Sequence, residues 1–454
     1  MRAEDETIFA LATAPGRGAV AVMRVSGRRA LAALIALAGR APPARRAALR
    51  SLRDPISGDP IDDALVLWMP GPASFTGEDC VEFHLHGGSA IIAALTAALG
   101  GPLQCRLARP GEFTERAFRH GRLDLTQAEG IADLVEAETG AQLRQALRQA
   151  RGELGAKYAA WRASLQGALA LVEAAIDFPD EGLEDGLAAR ALGEAQALAA
   201  LLNAELAIAA RGIRVRDGFL VAILGPPNAG KSSLLNRLVG ADRAIVSARP
   251  GTTRDIVEVG LSLCGYFVRL ADSAGLRETT DEIEEEGVRR AKDLAARADL
   301  RVFLAAPEQI EAISDFRPLM VEGDLVCLSQ ADRLIGDEAD ALTEIYRHSA
   351  AGVSIFALSA RDGVGLERLL NEIAEAAAED AGLSGAPALT RERHRQCVQR
   401  ALEALTGAGE AAIRGPEVLA EHLRAANMAL GELVGAVRVE DVLGAIFSQF
   451  CIGK

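Results

Sequence analysis

The spacing of apolar residues changes along this chain, and each change marks a different kind of element. Residues 219–224 (Phe-Leu-Val-Ala-Ile-Leu) are apolar without a break, the pattern of a strand buried on both faces. Similar short runs at 300–305, 325–328 and 353–358, with strands expected at 256–263 and 265–271, alternate with helical stretches. That order predicts a doubly wound α/β domain over residues 213–378. Near the start, 18–25 alternates apolar and polar as a half-buried strand does, then Ser26-Gly27 leads into a helix through Leu37. Strands are expected at 64–68 and 80–85, and a helix at 90–99 after Gly87-Gly88; residues 38–60, with Pro, Gly and Arg, read as loops. This makes 1–122 an α+β domain. From 123 to 212 apolar residues recur at helical spacing among Ala, Leu, Glu, Gln and Arg, interrupted at Asp177-Phe178-Pro179-Asp180. The same composition returns after 386. The simplest architecture is one all-α domain, 123–212 with 379–454, into which the α/β domain is inserted.

Composition narrows the classes. No apolar run reaches about 18 residues, so no membrane span is expected. The acidic start, Met1-Arg2-Ala3-Glu4-Asp5-Glu6, has no signal-peptide core. The 6 cysteines are scattered with no Cys-x-x-Cys pair, which suits a reducing cytoplasm. Net charge is −14, the wrong sign for a general nucleic-acid binder. Residues 24–53 nevertheless hold eight arginines and no acid, either a solvated surface or a local patch for a polyanion. His84 and His86 share one face of their strand but lack a third ligand at useful spacing, so packing is expected rather than a metal.

The strongest chemistry follows the strand at 219–224. Gly225-Pro226-Pro227-Asn228-Ala229-Gly230-Lys231-Ser232 has the spacing of a phosphate-binding loop. Its glycines let the backbone aim successive N–H groups at phosphate oxygens, and a helix over 232–239 presents its N-terminus to the anion. Lys231, expected to be exposed in the loop, supplies charge for the outer phosphates, and the Ser232 hydroxyl can ligate Mg²⁺. Asp272, closing a strand in Asp272-Ser273-Ala274-Gly275, suits the Mg²⁺ side, and the Gly275 N–H suits the γ-phosphate. Thr253, in Gly251-Thr252-Thr253-Arg254-Asp255, can close on Mg²⁺ when triphosphate is bound. Asp332 is placed to read a base, with Ser359-Ala360-Arg361 covering its other side.

This is the layout of a Ras-like GTPase, with two departures. The usual Asn-Lys-x-Asp is Ser329-Gln330-x-Asp332 here, so the lysine stem and asparagine brace are expected to be lost and guanine preference weakened. Leu276 stands where Ras-type enzymes carry a water-orienting glutamine.

Motifs outside the nucleotide domain are more specific. Thr7-Ile8-Phe9-Ala10, Ala14-Pro15-Gly16, Met23-Arg24-Val25-Ser26-Gly27, Phe75-Thr76-Gly77-Glu78-Asp79, Arg109-Pro110-Gly111-Glu112-Phe113, Leu123-Asp124-Leu125-Thr126-Gln127-Ala128-Glu129, Ala174-Ala175-Ile176-Asp177-Phe178-Pro179 and Phe450-Cys451-Ile452-Gly453-Lys454 make the whole chain resemble the MnmE (TrmE) family of bacterial tRNA modification GTPases. The resemblance implies a folate-binding N-terminal domain that also dimerises, a helical domain and an inserted GTPase domain. It implies work on tRNA as a homodimer with the FAD- and NADH-dependent partner MnmG, adding a carboxymethylaminomethyl-type group to carbon 5 of the wobble uridine from a folate one-carbon unit. Folate contacts carry over to Arg24, Glu82, Arg122 and Lys454, with 5-formyltetrahydrofolate or a related folate as ligand. A K⁺ site carries over to Asn228, Ser247, Arg249 and Thr252, and a water-orienting glutamate to Glu284. The nucleotide contacts then comprise Asn228, Ala229, Gly230, Lys231, Ser232 and Ser233, the loop Ser247, Ala248, Arg249, Pro250, Gly251, Thr252 and Thr253, then Asp272 to Gly275 and the base-side residues.

Hydrolysis stimulated by K⁺ is the corresponding expectation, since no glutamine follows Gly275 and Asn228 can help hold a cation. At the chain's end, Phe447 and Phe450 are apolar anchors expected to fold the tail back to the folate site. There Cys451 is expected to assist the modification rather than GTP hydrolysis. Two other readings stay open: a ribosome-assembly GTPase, and a scaffold that uses nucleotide only as a clamp.

Overall fold

The structure, a computed structural model, describes residues 6–178, 184–240, 244–245, 257–272, 283–334, 352–381, 389–436, 440–448, 450 and 452–453. Its contacts divide the chain into two compact units, Met1–Ala132 with Arg148–Leu192 and Ala408–Lys454, and Asp133–Leu147 with Gly193–Gly407.

The first unit begins with β1 (Ile8–Leu11), β2 (Gly18–Ser26), α1 (Ala30–Ala38), β3 (Ala48–Arg53), β4 (Pro60–Met69), β5 (Cys80–Gly87), α2 (Ser89–Gly100), β6 (Arg106–Leu107) and α3 (Glu112–Arg119). The strands form one sheet in the order β3-β4-β5-β2-β1-β6, antiparallel except for the β1–β6 pair. Side chains alternate across β2: Met23 and Val25 face a core with Phe9, Phe83, Leu34 and Leu95, so α1 and α2 cover one face. Arg24 and its cross-strand neighbour Glu82 stand on the other.

Strand β3 corrects the expectation of a loop through 38–60. Of its residues Leu52 alone is fully buried, while arginines flank it. An edge strand needs only one inward anchor and is protected by charge, so it carries little apolar signal.

The chain continues through α4 (Leu125–Glu136), α5 (Gly140–Ala150), α6 (Glu153–Asp177) and α7 (Glu184–Asp217). The interruption expected near Pro179 is where α6 stops. The second unit then carries β7 (Phe219–Leu224), α8 (Lys231–Val239), β8 (Ala244–Ile245), β9 (Val257–Leu263), β10 (Tyr266–Asp272), α9 (Ile283–Arg297), β11 (Leu300–Ala305), β12 (Leu325–Leu328), β13 (Ser354–Ala357), α10 (Leu366–Ala381) and α11 (Glu392–Thr406). Its sheet runs β13-β12-β11-β7-β10-β9-β8, parallel from β13 to β10. Alternate residues of β7 enter two different cores: Val221 and Ile223 one, Ala222 and Leu224 the other. Neighbours β10 and β11 leave β7 on opposite sides, so the crevice beyond its carboxyl end is the switch point where open α/β sheets bind ligands.

Within this unit one carboxylate ties the segments that enter and leave the nucleotide domain. Asp133 Oδ1 accepts from Arg216 Nε at 2.8 Å, just before β7, and from Arg391 Nη2 at 2.6 Å, just before α11. Gln142 donates to the Arg216 carbonyl at 2.9 Å, an acceptor that the end of α7 leaves open, and Gln145 donates to the Gly212 carbonyl one turn earlier at 3.0 Å.

The last helices, α12 (Ala408–Arg414), α13 (Pro416–Leu433) and α14 (Glu440–Ser448), return to the first unit, where α13 packs along α6. Phe447 and Phe450 are buried with Phe118 and Leu125, so the tail is anchored as expected. A Cβ at Gly453 would lie 2.2 Å from the Leu11 carbonyl oxygen, which seats the tail against β1.

Candidate functional site

The loop after β7 is built by close approach. Gly225 has φ +144°, and a Cβ there would sit 2.0 Å from the Leu304 carbonyl oxygen on β11. Asn228 also adopts a left-handed conformation, φ 63°, and Gly230, at φ 90°, starts α8. Such turns point successive N–H groups inward, making an anion cradle at a helix N-terminus.

Lys231 is not exposed, as expected from sequence, but buried at 6 %. Its Nζ donates to the carbonyls of Gly225 and Pro226, both at 2.8 Å, which offsets the loss of water at two of its three donors and leaves the third for phosphate. Burial lowers its pKa, opposed by the charge of Asp272. Ser232 Oγ lies 3.4 Å from Asp272 Oδ2, the carboxylate closing β10. A hydroxyl and a buried carboxylate beside the cradle are the hard oxygen donors that suit Mg²⁺. Ala229 is fully buried beneath the loop, and Ser233 follows exposed on α8.

Across the crevice, Asp332 Oδ1 accepts from Ser359 Oγ at 3.0 Å, and Ser359 Oγ accepts from the Asp362 N–H at 3.1 Å. The serine thus orients the carboxylate, whose second oxygen receives no hydrogen bond from it. Arg361 reaches that oxygen at 3.9 Å, with half-buried Ala360 between the two.

The brace expected to be lost is present in another form. Ser329 Oγ donates to the Ala229 carbonyl at 2.6 Å, and Gln330 Nε2 to the Asn228 carbonyl at 2.8 Å. Ser329 and Gln330 therefore tie the base-side loop to the phosphate loop without asparagine or lysine.

Ser247, Ala248, Arg249, Pro250, Gly251, Thr252, Thr253, Ser273, Ala274, Gly275, Cys451 and Lys454 lie outside the described residues. Glu284 falls in the first turn of α9, with its side chain outside them as well.

In the first unit Arg24 and Glu82, which the resemblance gives as folate contacts, lie side by side on neighbouring strands. Arg24 Nε and Nη2 donate to Glu82 Oε1 at 3.0 and 2.8 Å. The guanidinium lies over the rings of Phe75 and Phe113, 5.5 and 5.7 Å from their centroids. Arg122 is exposed on the turn after α3, and a Cβ at Gly77 would lie 3.5 Å from its Cγ. The 75–78 loop thus adjoins both Arg122 and Arg24. Beside it a buried network runs from Ser26 Oγ through Glu78, 2.8 Å away, to Arg116 at 3.0 Å and on to Glu112 at 3.1 Å. Burial pushes the Glu112 carboxyl up, but hydrogen bonds from Arg106, the Arg109 N–H and Arg116 outweigh it and hold the pKa at about 2.

Among the described residues no three His, Cys, Asp or Glu gather as a metal site. His84 and His86 instead meet Glu82 and Asp62, at 3.4 and 2.8 Å. Phe75, Phe113, Asp133 and Arg333, whose Nη1 donates to Gln330 Oε1 at 2.8 Å, do not stand out in the sequence. Phe75 and Phe113 lay inside motifs already noticed, whereas Asp133 and Arg333 carry no local signal.

Comparison with known proteins covers almost the whole chain. The family model described as GTP-binding protein TrmE N-terminus matches residues 7–122, and that described as MnmE helical domain matches 125–451. A tRNA modification GTPase MnmE from Phenylobacterium zucineum is 50% identical over 451 residues, 99% of this chain and 100% of that protein. Its counterparts from Paramagnetospirillum magneticum and Caulobacter vibrioides are 48% and 49% identical, each over 99% of this chain and 100% of the relative. With relatives matched end to end at about half identity, and a crevice with a phosphate loop at one end and Asp332 at the other, this chain belongs to the MnmE (TrmE) family of tRNA modification GTPases.

Proposed function

We propose that this chain binds and hydrolyses GTP and takes part in tRNA modification. Acting with the flavoprotein MnmG, it adds a carboxymethylaminomethyl-type group to carbon 5 of the wobble uridine, from a folate one-carbon unit. The observation that carries the nucleotide part is the crevice itself: Lys231, Ser232 and Asp272 converge at one end, Asp332 with Ser359 at the other. Ser232 and Asp272 would hold Mg²⁺, joined by Thr253. Asn228 with Ser247, Arg249 and Thr252 would hold K⁺, and Glu284 would orient the attacking water.

The folate part rests on Arg24 and Glu82. A cation stacked on two aromatic rings and paired with a carboxylate offers both a charge and a planar acceptor to a pterin. Arg122 and Lys454 would complete that site. The tail, seated against β1, would bring Cys451 towards it, and the active species is a homodimer in the cytoplasm.

Mass spectrometry of tRNA nucleosides from a strain lacking this chain tests the reading. The modified wobble uridine should disappear, return with the wild-type gene, and fail to return with Arg24→Ala or Cys451→Ser, although both variants hydrolyse GTP. Unchanged nucleosides in the deletion strain reject the modification role.

A further inference from the structure

The carbonyl groups of the phosphate loop carry a pattern that the nucleotide reading does not require. When N–H groups turn inward to meet phosphate, the carbonyls turn outward and need donors of their own. Five consecutive carbonyls each receive one from a side chain. Lys231 supplies Gly225 and Pro226. Gln309 Nε2 supplies Pro227 at 2.8 Å, Gln330 Nε2 supplies Asn228 at 2.8 Å, and Ser329 Oγ supplies Ala229 at 2.6 Å.

Gln330 is itself held from several directions. Its backbone is left-handed, φ 55° and ψ 37°, a conformation that costs a non-glycine residue energy and persists where neighbours impose it. Here the Ser329 N–H donates to Ala305 O at 2.9 Å and the Ala331 N–H to Leu358 O at 3.1 Å, pinning the turn to the strand ends on either side. Arg333 then sets which way the amide faces. Arg333 Nη1 donates to Gln330 Oε1 at 2.8 Å. A guanidinium is a donor only, so Oε1 must face Arg333 and the NH₂ must face the Asn228 carbonyl. Glu308 in turn holds Arg333 at 2.5 Å, and the next residue, Gln309, supplies Pro227.

We infer that Gln330, oriented by Arg333 and Glu308, is a positioning residue that holds the phosphate loop in its binding shape, replacing the lysine usual at this place in the motif. The inference rests on the nucleotide reading above. It assigns Gln330 to the phosphate end of the site and leaves base choice to Asp332. What matters at 330 is then a donor reaching Asn228 O, and what matters at 333 is a donor facing Gln330 Oε1.

GDP affinity, measured by titration calorimetry on the full chain, tests this. Gln330→Glu keeps the shape but puts an acceptor against the Asn228 carbonyl; GDP should bind about tenfold more weakly. Gln330→Lys restores a donor and should stay within about twofold of wild type. Arg333→Ala should weaken binding about threefold in the native background and have no effect on top of Gln330→Lys, because lysine has no amide to orient. The ratio of GDP to IDP affinity should be the same in every variant. Wild-type affinity in Gln330→Glu, an Arg333→Ala loss that persists in the Gln330→Lys background, or a changed GDP to IDP ratio would each overturn the assignment. A wild-type chain that binds no GDP would instead sink the nucleotide reading on which it stands.

Discussion

Arg24 and Glu82 project from the middle of two strands onto the face of the six-stranded sheet, whereas in the seven-stranded sheet Lys231, Asp272 and Asp332 all lie at or beyond strand ends. The difference follows from what covers each sheet. Antiparallel strands need helices on one face only, so alternate side chains on the other are free for charge. Strand β7 is buried on both faces, and a charge in its middle would be stranded, so polar groups collect where the strands end. The first site therefore depends on strand register, and the second on loop geometry.

Three experiments press on that contrast. The largest effect belongs to Lys231→Ala, which should weaken GTP binding about a thousandfold, since the one positive charge facing the outer phosphates is lost. Because Lys231 also holds the Gly225 and Pro226 carbonyls, the melting temperature should fall as well. Binding of 5-formyltetrahydrofolate, also followed by calorimetry, should be untouched; a loss there would show that the two sites are not independent.

Acid should act on the unit of the six-stranded sheet through Glu112, on α3. The Glu112 carboxyl is held at about 2 against an ordinary value of 4.5. A depressed carboxyl stabilises the fold above its unfolded pKa, and that stabilisation is lost as pH falls from about 5 towards 2. Its size is about 3 kcal/mol. Glu112→Gln should lower stability at pH 7 and flatten the pH dependence in this window, as read by thermal melts of the two proteins. Parallel curves would assign the acid sensitivity to other groups.

A smaller change should follow from releasing the clasp at the neck of the nucleotide domain. Asp133→Ala leaves Arg216 and Arg391 without their shared carboxylate and should cost about 2 kcal/mol, less than a fully buried pair because all three groups keep some solvent. The melting temperature should drop about 5 °C by scanning calorimetry. GDP affinity should hold, since the crevice lies at the other end of β7; a matching loss of affinity would make the clasp part of the nucleotide response.

How far these sites were legible depended on how local their causes are. Strand β7, the phosphate loop and Asp272 follow one another in patterns whose physics is contained in a few residues, and 219–224, 300–305 and 325–328 were read to the residue. Strand β3 escaped because its partner, not its composition, makes it a strand: Leu49 pairs with Leu65 and Leu52 with Asp62. Arg24 and Glu82 stood out only through the family motif, and that they pair was not legible at all, since 58 residues separate them.

By itself the sequence determined the kinds of domain, the phosphate cradle and the aspartate across the crevice from it, because backbone freedom at glycine and burial of apolar runs are set within a few positions. Substitution of Ser329 and Gln330 for the usual pair read there as a loss. Only the tertiary structure decided otherwise. It set Gln330 beside a carbonyl 102 residues away and put Arg333 and Glu308 behind it. A hydrogen bond depends on where donor and acceptor stand, and chain folding, not the name of a residue, brings them within about 3 Å.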